Sequence, residues 1–192
     1  MAATPTPLSA ETGTRIMTWA DALAVHTDQP GILTRTYLTE AHHGADALLT
    51  EWMEAAGMTV RRDAAGNVIG RYEGTTPNAP ALLTGSHFDT VRDAGRYDGN
   101  LGVILPIACV AEWNRQGKRF PFALEVVGFA EEEGVRFKAT LLGSRAIAGT
   151  FDTNVLDNVD DSGKTMREVM RAAGFDKPKP PKLEECVQHF FN

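Results

Sequence analysis

The 192-residue sequence has little of what several large classes of protein need. It contains only two cysteines, Cys109 and Cys186, far apart and without a CxxC partner, which argues against a disulfide framework or a thiolate zinc site. Its longest apolar runs, at residues 101–110 and 124–130, are much shorter than the roughly 18 residues that span a bilayer. Basic residues do not cluster, and the formal net charge is −6. Nucleic acids and membranes are therefore not expected partners.

The start of the chain also lacks an export signal. Residues 1–11 are rich in Ala, Thr and Pro, without the basic start and apolar centre of a signal peptide, so a cytoplasmic location is expected. A length of 192 residues with 43% hydrophobic composition is enough for one ordinary core. One domain, spanning residues 1–192, is predicted.

Hydrophobic spacing and turn residues predict the secondary structure. Apolar residues three and four apart indicate helices, whereas short apolar runs bounded by Gly, Pro, Asn or Asp indicate strands. Helices are predicted at residues 14–26, 39–56, 101–116, 141–148 and 165–173, and strands at residues 58–62, 68–72, 81–84 and 122–130.

From residue 81 to residue 148 the predicted order is strand, loop, helix, strand, loop, helix. This order favours an α/β fold with a mainly parallel sheet flanked by helices. In such sheets ligands bind beyond the carboxyl ends of the strands. Polar residues follow both predicted strands at that end, so one shared site is expected there.

Three short clusters carry the candidate chemistry: HFD at residues 87–89, YDG at 97–99 and EEE at 131–133. Each has an ordinary structural interpretation by itself. A single histidine is often a structural residue, Asp98 before a glycine suits a turn or helix cap, and an acidic triplet suits a helix start. Together, however, three adjacent carboxylates at a strand end repel one another unless cations compensate them. Imidazole and carboxylate ligands suit zinc, manganese or cobalt, so a metal site is predicted.

The motifs around these clusters resemble a known family. GSHFDTV at residues 85–91, GRYDGNLGV at 95–103 and GFAEEEGVRF at 128–137 are similar to the amidohydrolases typified by N-carbamoyl-L-amino-acid hydrolase and allantoate amidohydrolase. These belong to the aminoacylase and di-metal exopeptidase superfamily. The resemblance extends from about Ile32 to about Phe175 and includes DAAGN at residues 63–67 and GSR at 143–145.

The resemblance implies a role for each site residue. His87 would bind one metal ion, Asp98 would bridge two ions and Glu133 would bind the second. Glu132 would act as general base, and Asp89 would orient His87 without binding metal itself. These roles are chemically consistent, because a base must lie near the reacting water without being a ligand, and a ligating imidazole is normally held by an outer acceptor.

The implied reaction is hydrolysis of a carbon–nitrogen bond in a small ureido or carbamoyl compound, either allantoate or an N-carbamoyl-L-amino acid. The implied cofactors are two divalent ions, zinc or manganese, which activate a water molecule. Two alternatives stay open. One is an aminoacylase or dipeptidase of the same superfamily, and the other is a non-catalytic remnant.

Family members are considerably longer than this chain. They carry further histidine ligands and a dimerisation or lid domain, and form homodimers. The chain is therefore expected to be the front part of the catalytic domain, truncated and inactive alone. Whether His189 supplies a ligand stays open, since its surroundings match the family poorly. Arg136 and Arg145 are candidates either for substrate carboxylate binding or for structural ion pairs.

Overall fold

Residues 9–77 and 79–175, which the computed structural model describes, alternate between helices and strands. The α-helices are α1 (Ala10–Val25), α2 (Glu40–Ala55), α3 (Asn100–Arg115), α4 (Leu142–Ile147) and α5 (Met166–Ala172). The strands are β1 (Thr59–Arg62), β2 (Val68–Tyr72), β3 (Ala81–His87) and β4 (Ala123–Phe129), and a short 3-10 helix covers Thr153–Asp157. Cys186 and His189 lie outside the described residues.

The first helix begins earlier than the prediction of residues 14–26. The side chain of Ser9 accepts a hydrogen bond from the main-chain N–H of Thr12 and caps the helix there. Thr12 itself is buried on the same face as Ile16 and Ala20. The hydrophobic spacing missed this first turn because its core-facing residue is a threonine.

The second and last helices agree with their predicted ranges because both carry strong caps. Thr39 caps α2, and Gly57 follows the helix in the left-handed conformation, with φ 82°. Thr165 and Glu168 form a reciprocal capping box at the start of α5.

The α/β fold with helices around a sheet is confirmed, but the sheet is mixed rather than mainly parallel. The strand order is β1-β2-β4-β3. The strands β1 and β2 form an antiparallel hairpin around residues 63–67, and β2 also pairs antiparallel with β4. Only β3 and β4 pair in parallel within the described sheet. A hairpin necessarily reverses the chain, so adding it beside β4 introduces antiparallel pairing.

The parallel pair positions the polar clusters. The chain leaves β3, passes through α3 and returns in β4, with His87 opposite Phe129 in the register. Both strands therefore end at the same edge of the sheet, as expected for a βαβ unit.

The helices pack against this βαβ unit and against one another to form one core. α3 packs against β3 and β4, α2 packs against β1 and β2, and α1 packs against α3. Trp19 of α1 stacks on Trp52 of α2 with ring centroids 4.7 Å apart, so these tryptophans serve helix packing. None of the described helices is long and apolar enough to cross a membrane.

Candidate metal centre

His87 is the last residue of β3, and its imidazole is fixed by the main chain that follows. Its Nδ1 lies 2.9 Å from the carbonyl oxygen of Asp89. A carbonyl only accepts, so Nδ1 carries the proton of the neutral ring, and Nε2 is left with its lone pair free for a ligand. Nε2 faces Asp98 Oδ1 at 3.7 Å and Glu133 Oε1 at 3.8 Å.

The acidic triplet follows β4 and meets His87 at the edge of the sheet. One ligand atom each from His87, Glu132 and Glu133 lies within 4.8 Å of the others, a group that could hold a metal ion. The structure thus brings the predicted base Glu132 into the same group as the predicted ligand Glu133. The division of roles between them rests on the family resemblance and stays a prediction.

Asp98 approaches from the loop before α3. Its side chain is 59% exposed and lies on the Nε2 side of His87. The next residue, Gly99, has φ 67°, and a Cβ added there would lie 2.4–2.5 Å from the His87 ring. The absence of a side chain at Gly99 is therefore what lets the Asp98 loop pass this close to the imidazole.

Asp89 contacts both the acidic triplet and His87. Its carboxylate is 1% exposed and accepts hydrogen bonds from the main-chain N–H groups of Glu132, at 3.0 Å, and Glu133, at 3.1 Å. Its nearer contact with the imidazole is through its main-chain carbonyl, because the carboxylate oxygen is 3.8 Å from Nδ1. Burial raises the pKa of Asp89, and the two N–H donors and His87 oppose that rise. Its role in orienting His87 stays a prediction.

Glu131 had no predicted role, and the structure buries it completely. Its backbone has φ 50°, and neither carboxyl oxygen has a hydrogen-bond partner among the described residues. Burial, followed by the negative charge of Asp89, raises the pKa of Glu131 to about 8. The available sequence signal for this burial was the triplet itself. Three consecutive side chains at a strand end cannot all face the same site, so one carboxylate had to lie elsewhere.

Asn67 is a second residue that sequence reasoning left without a role. Its Oδ1 accepts a hydrogen bond from the N–H of Ala130 at 2.9 Å, and its Nδ2 donates to the carbonyl of Gly143 at 2.9 Å. The side chain thus joins the β1–β2 turn to the end of β4 and to α4. Asn67 belongs to the DAAGN motif, which was the available signal.

Arg136 serves a structural ion pair. Its guanidinium lies 2.9 Å from the carboxylate of Asp160 and donates to the carbonyl of Tyr37 at 2.7 Å. Of the two alternatives for this residue, the structure supports the ion pair. Nothing in the described contacts assigns Arg145 to either.

The donor set fits a divalent ion of the zinc or manganese kind. It combines one imidazole with carboxylates, which is the ligand chemistry these ions prefer. The electrostatics agree, because burial raises the pKa of Glu133, and the charges of Glu132, Asp89 and Asp98 add to the rise that His87 opposes. A cation among these groups would offset their mutual repulsion.

An imidazole and carboxylates gathered at the end of a βαβ unit are the site expected of a metal-dependent hydrolase. A family model described as peptidase family M28 matches residues 67–177, more than half of the chain. The chain therefore belongs to peptidase family M28.

Curated relatives refine this picture. The chain is 44% identical over 146 residues to a probable allantoate deiminase of Oryza sativa subsp. japonica, covering 75% of this chain and 30% of that protein. It is 42% identical over 151 residues to an N-carbamoyl-L-amino acid amidohydrolase of Geobacillus stearothermophilus, covering 79% and 37%. The chain thus spans about a third of the length of these relatives. By name, both are hydrolases of carbon–nitrogen bonds.

A solved structure is also similar to most of this chain. A hydantoinase/carbamoylase family amidase from Burkholderia ambifaria is similar with a TM-score of 0.80 and 33% sequence identity. The similarity covers 88% of this chain and 42% of that chain. The resemblance to the carbamoyl- and ureido-cleaving amidohydrolases is thereby confirmed.

Proposed function

We propose that this chain is the metal-binding part of the catalytic domain of an amidohydrolase that cleaves the carbon–nitrogen bond of allantoate or an N-carbamoyl-L-amino acid. The observation that carries the proposal is the meeting of His87, Glu132 and Glu133 within 4.8 Å at the strand ends. The names of the relatives support ureido and carbamoyl compounds as the substrates of this site.

The residues that would hold two divalent ions, zinc or manganese, are His87, Asp98 and Glu133. Such ions supply a Lewis acid for the substrate carbonyl and lower the pKa of a bound water towards ~7. Asp98 suits the shared position because a carboxylate offers two oxygens. One of these oxygens lies 3.7 Å from the Nε2 of His87.

Glu132 would move the proton. Its carboxylate lies within the cluster, so it can accept a proton from the attacking water and pass it to the departing nitrogen. The hydrogen bond from its own main-chain N–H to Asp89 fixes the start of the side chain. General acid–base help of this kind contributes about 10² to 10⁴ in rate.

A second candidate is a peptidase or aminoacylase. The match to peptidase family M28 favours it, since peptide and carbamoyl cleavage need the same metal and base, although a peptide releases an amine and a carbamoyl group releases ammonia. The complete protein is further proposed to be a cytoplasmic homodimer. The scarcity of cysteine suits a reducing compartment.

The first test measures metal binding by the 192-residue chain. Metal-free protein is titrated with Zn²⁺ or Mn²⁺, and His87→Ala and Glu133→Ala are compared with His43→Ala, a histidine exposed on α2. We expect the first two to lose binding and the control to match the wild type. Equal binding in all four proteins would refute the proposed site.

The second test follows chemistry. Ammonia release from allantoate and N-carbamoyl-L-amino acids is compared with amine release from dipeptides and acyl amino acids. We expect the chain alone to be inactive, because two ions would share few donors whereas catalytic zinc normally has three protein ligands. The same assays on a complete protein that contains residues 32–175 of this chain should give ammonia. Amine release only from dipeptides or acyl amino acids would favour the second candidate.

A further inference from the structure

Arg35 is a buried cation behind the metal centre. It lies in the segment between α1 and α2, and its side chain is 0% exposed. Its guanidinium hydrogen-bonds to four neutral oxygens rather than to a carboxylate. The acceptors are the carbonyls of Phe88, at 2.7 Å, Leu23, at 2.7 Å, and His26, at 3.2 Å, and the Asn100 Oδ1 at 2.6 Å.

Two of these acceptors belong to the loops that carry the proposed ligands. Phe88 stands between His87 and Asp89, and Asn100 stands two residues after Asp98. The Nδ2 of Asn100 in turn donates to the Asp98 carbonyl at 3.1 Å. One rigid, planar group therefore joins the His87 loop to the Asp98 loop.

The main chain of Arg35 strengthens the contact with the first of these loops. Its N–H donates to the Thr90 hydroxyl at 2.8 Å, and its carbonyl accepts from the Thr90 N–H at 2.9 Å. Residues 88 and 90 are thus both held by Arg35. Asp89 lies between these two residues, so its backbone conformation sets the position of the carbonyl oxygen that contacts the Nδ1 of His87.

The end of α1 explains how a charge can be buried here. Leu23 and His26 offer carbonyls at the carboxyl end of the helix, where the helix dipole is negative. Burial lowers the pKa of Arg35 to about 10, and the charges of Asp89 and Asp28 oppose the decrease, so the group stays charged at neutral pH.

We infer that Arg35 is a positioning residue whose guanidinium sets the geometry between His87 and Asp98, and with it the affinity of the site for a divalent cation. The inference rests on the proposed function for the identity of the site. Arg35 itself touches neither metal nor substrate. Lysine should not replace it, because a single ammonium cannot reach acceptors on both loops in the fork geometry of arginine.

The experiment compares Arg35→Lys with the wild-type 192-residue chain. Zn²⁺ affinity is measured by competition with a chelating dye, and the visible absorption of bound Co²⁺ reports ligand geometry. We expect Arg35→Lys to bind Zn²⁺ about 10- to 100-fold more weakly and to change the Co²⁺ spectrum. The control is Tyr72→Phe, at the end of β2 far from the site, which removes the partly buried hydroxyl that donates to the Lys118 carbonyl and accepts from Arg119. It should lower the melting temperature and leave both metal readouts unchanged.

A readout without metal separates this inference from the proposed function. At pH 8 the imidazole nitrogen shifts of metal-free His87 should report one Nδ1–H tautomer in the wild type and a mixture in Arg35→Lys. If the wild type binds no zinc, the proposed function fails, and the tautomer still decides the role of Arg35.

A second variant covers the case in which Arg35→Lys does not fold. Asn100→Ala removes only the acceptor on the Asp98 side and should also weaken Zn²⁺ binding. Zinc affinity within twofold of wild type and an unchanged tautomer, in whichever of the two variants folds, would overturn the inference and leave Arg35 as a structural anchor for α1.

Discussion

The carboxylate of Asp89 accepts a hydrogen bond from the main-chain N–H of Glu133 over 3.1 Å, so the loop after β3 holds the loop after β4. The other oxygen accepts from the N–H of Glu132. Asp89 therefore contacts three proposed site residues, since its carbonyl oxygen also lies 2.9 Å from the Nδ1 of His87. This arrangement is more than the orientation of one imidazole that the sequence suggested.

Asp89→Asn is predicted to weaken metal binding while leaving the chain folded. An amide has one accepting oxygen, and its NH₂ group opposes the second main-chain N–H. The expected loss in Zn²⁺ affinity is about 10- to 100-fold, measured by dye competition. Asp93→Asn is the matched control, because Asp93 lies exposed in the same loop. Equal affinity in the two variants would contradict the role of Asp89.

Glu132→Gln and Asp98→Ala are predicted to separate proton transfer from metal binding. In a complete enzyme containing residues 32–175, Glu132→Gln should retain its metal and lose about 10² to 10⁴ in turnover. Asp98→Ala should lose metal and turnover together, since a shared ligand is removed. Metal analysis of the purified variants decides between these roles. Near-normal turnover in Glu132→Gln, or full metal content in Asp98→Ala, would refute the assignment.

Gly99→Ala is predicted to damage the site through His87. The new Cβ would lie 2.4 Å from ring atoms of His87, and the unfavourable backbone conformation at this position adds roughly 1–3 kcal/mol of strain. Zn²⁺ affinity and the melting temperature should both fall. Gly95→Ala tests the specificity of this effect, because a Cβ there meets nothing within 4 Å. We expect that control to be neutral or slightly stabilising. A similar loss in both variants would point to the loop in general.

The buried carboxyl of Glu131 predicts a stability that falls as pH rises. Its pKa is raised from 4.5 to about 8, so between these values the folded state binds a proton that the unfolded state has released. This group therefore favours folding fully below pH 4.5, and its contribution declines by up to about 1.4 kcal/mol per pH unit until about pH 8.

Glu131→Gln isolates that contribution, since glutamine stays neutral. Urea unfolding of both metal-free proteins across pH 4–9 should give a difference in free energy of unfolding that increasingly favours the variant as pH rises and levels off near pH 8. Contributions from other groups cancel in this difference. A difference that does not change with pH would show that Glu131 is already charged in the folded chain.

Local sequence determined most of the elements. The caps at Thr39 and Thr165 and the turn at residues 63–67 act within a few residues, so α2, α5 and the β1–β2 hairpin were predictable. The three polar clusters were also evident, because the resemblance depends on contiguous motifs. Where local signals were incomplete, as at Thr12 in α1, the boundary was missed.

Only the tertiary structure decided how these pieces meet. Pairing of β2 with β4 made the sheet mixed, which no local pattern encodes. The burial of Glu131 depends on segments distant in sequence, and Arg35 bonds across 53 and 65 positions to Phe88 and Asn100. Sequence specifies which residue types are available within each turn or strand. The surroundings of a buried charge are set by the whole packed core, because every neighbour that excludes water from it must be in place at once.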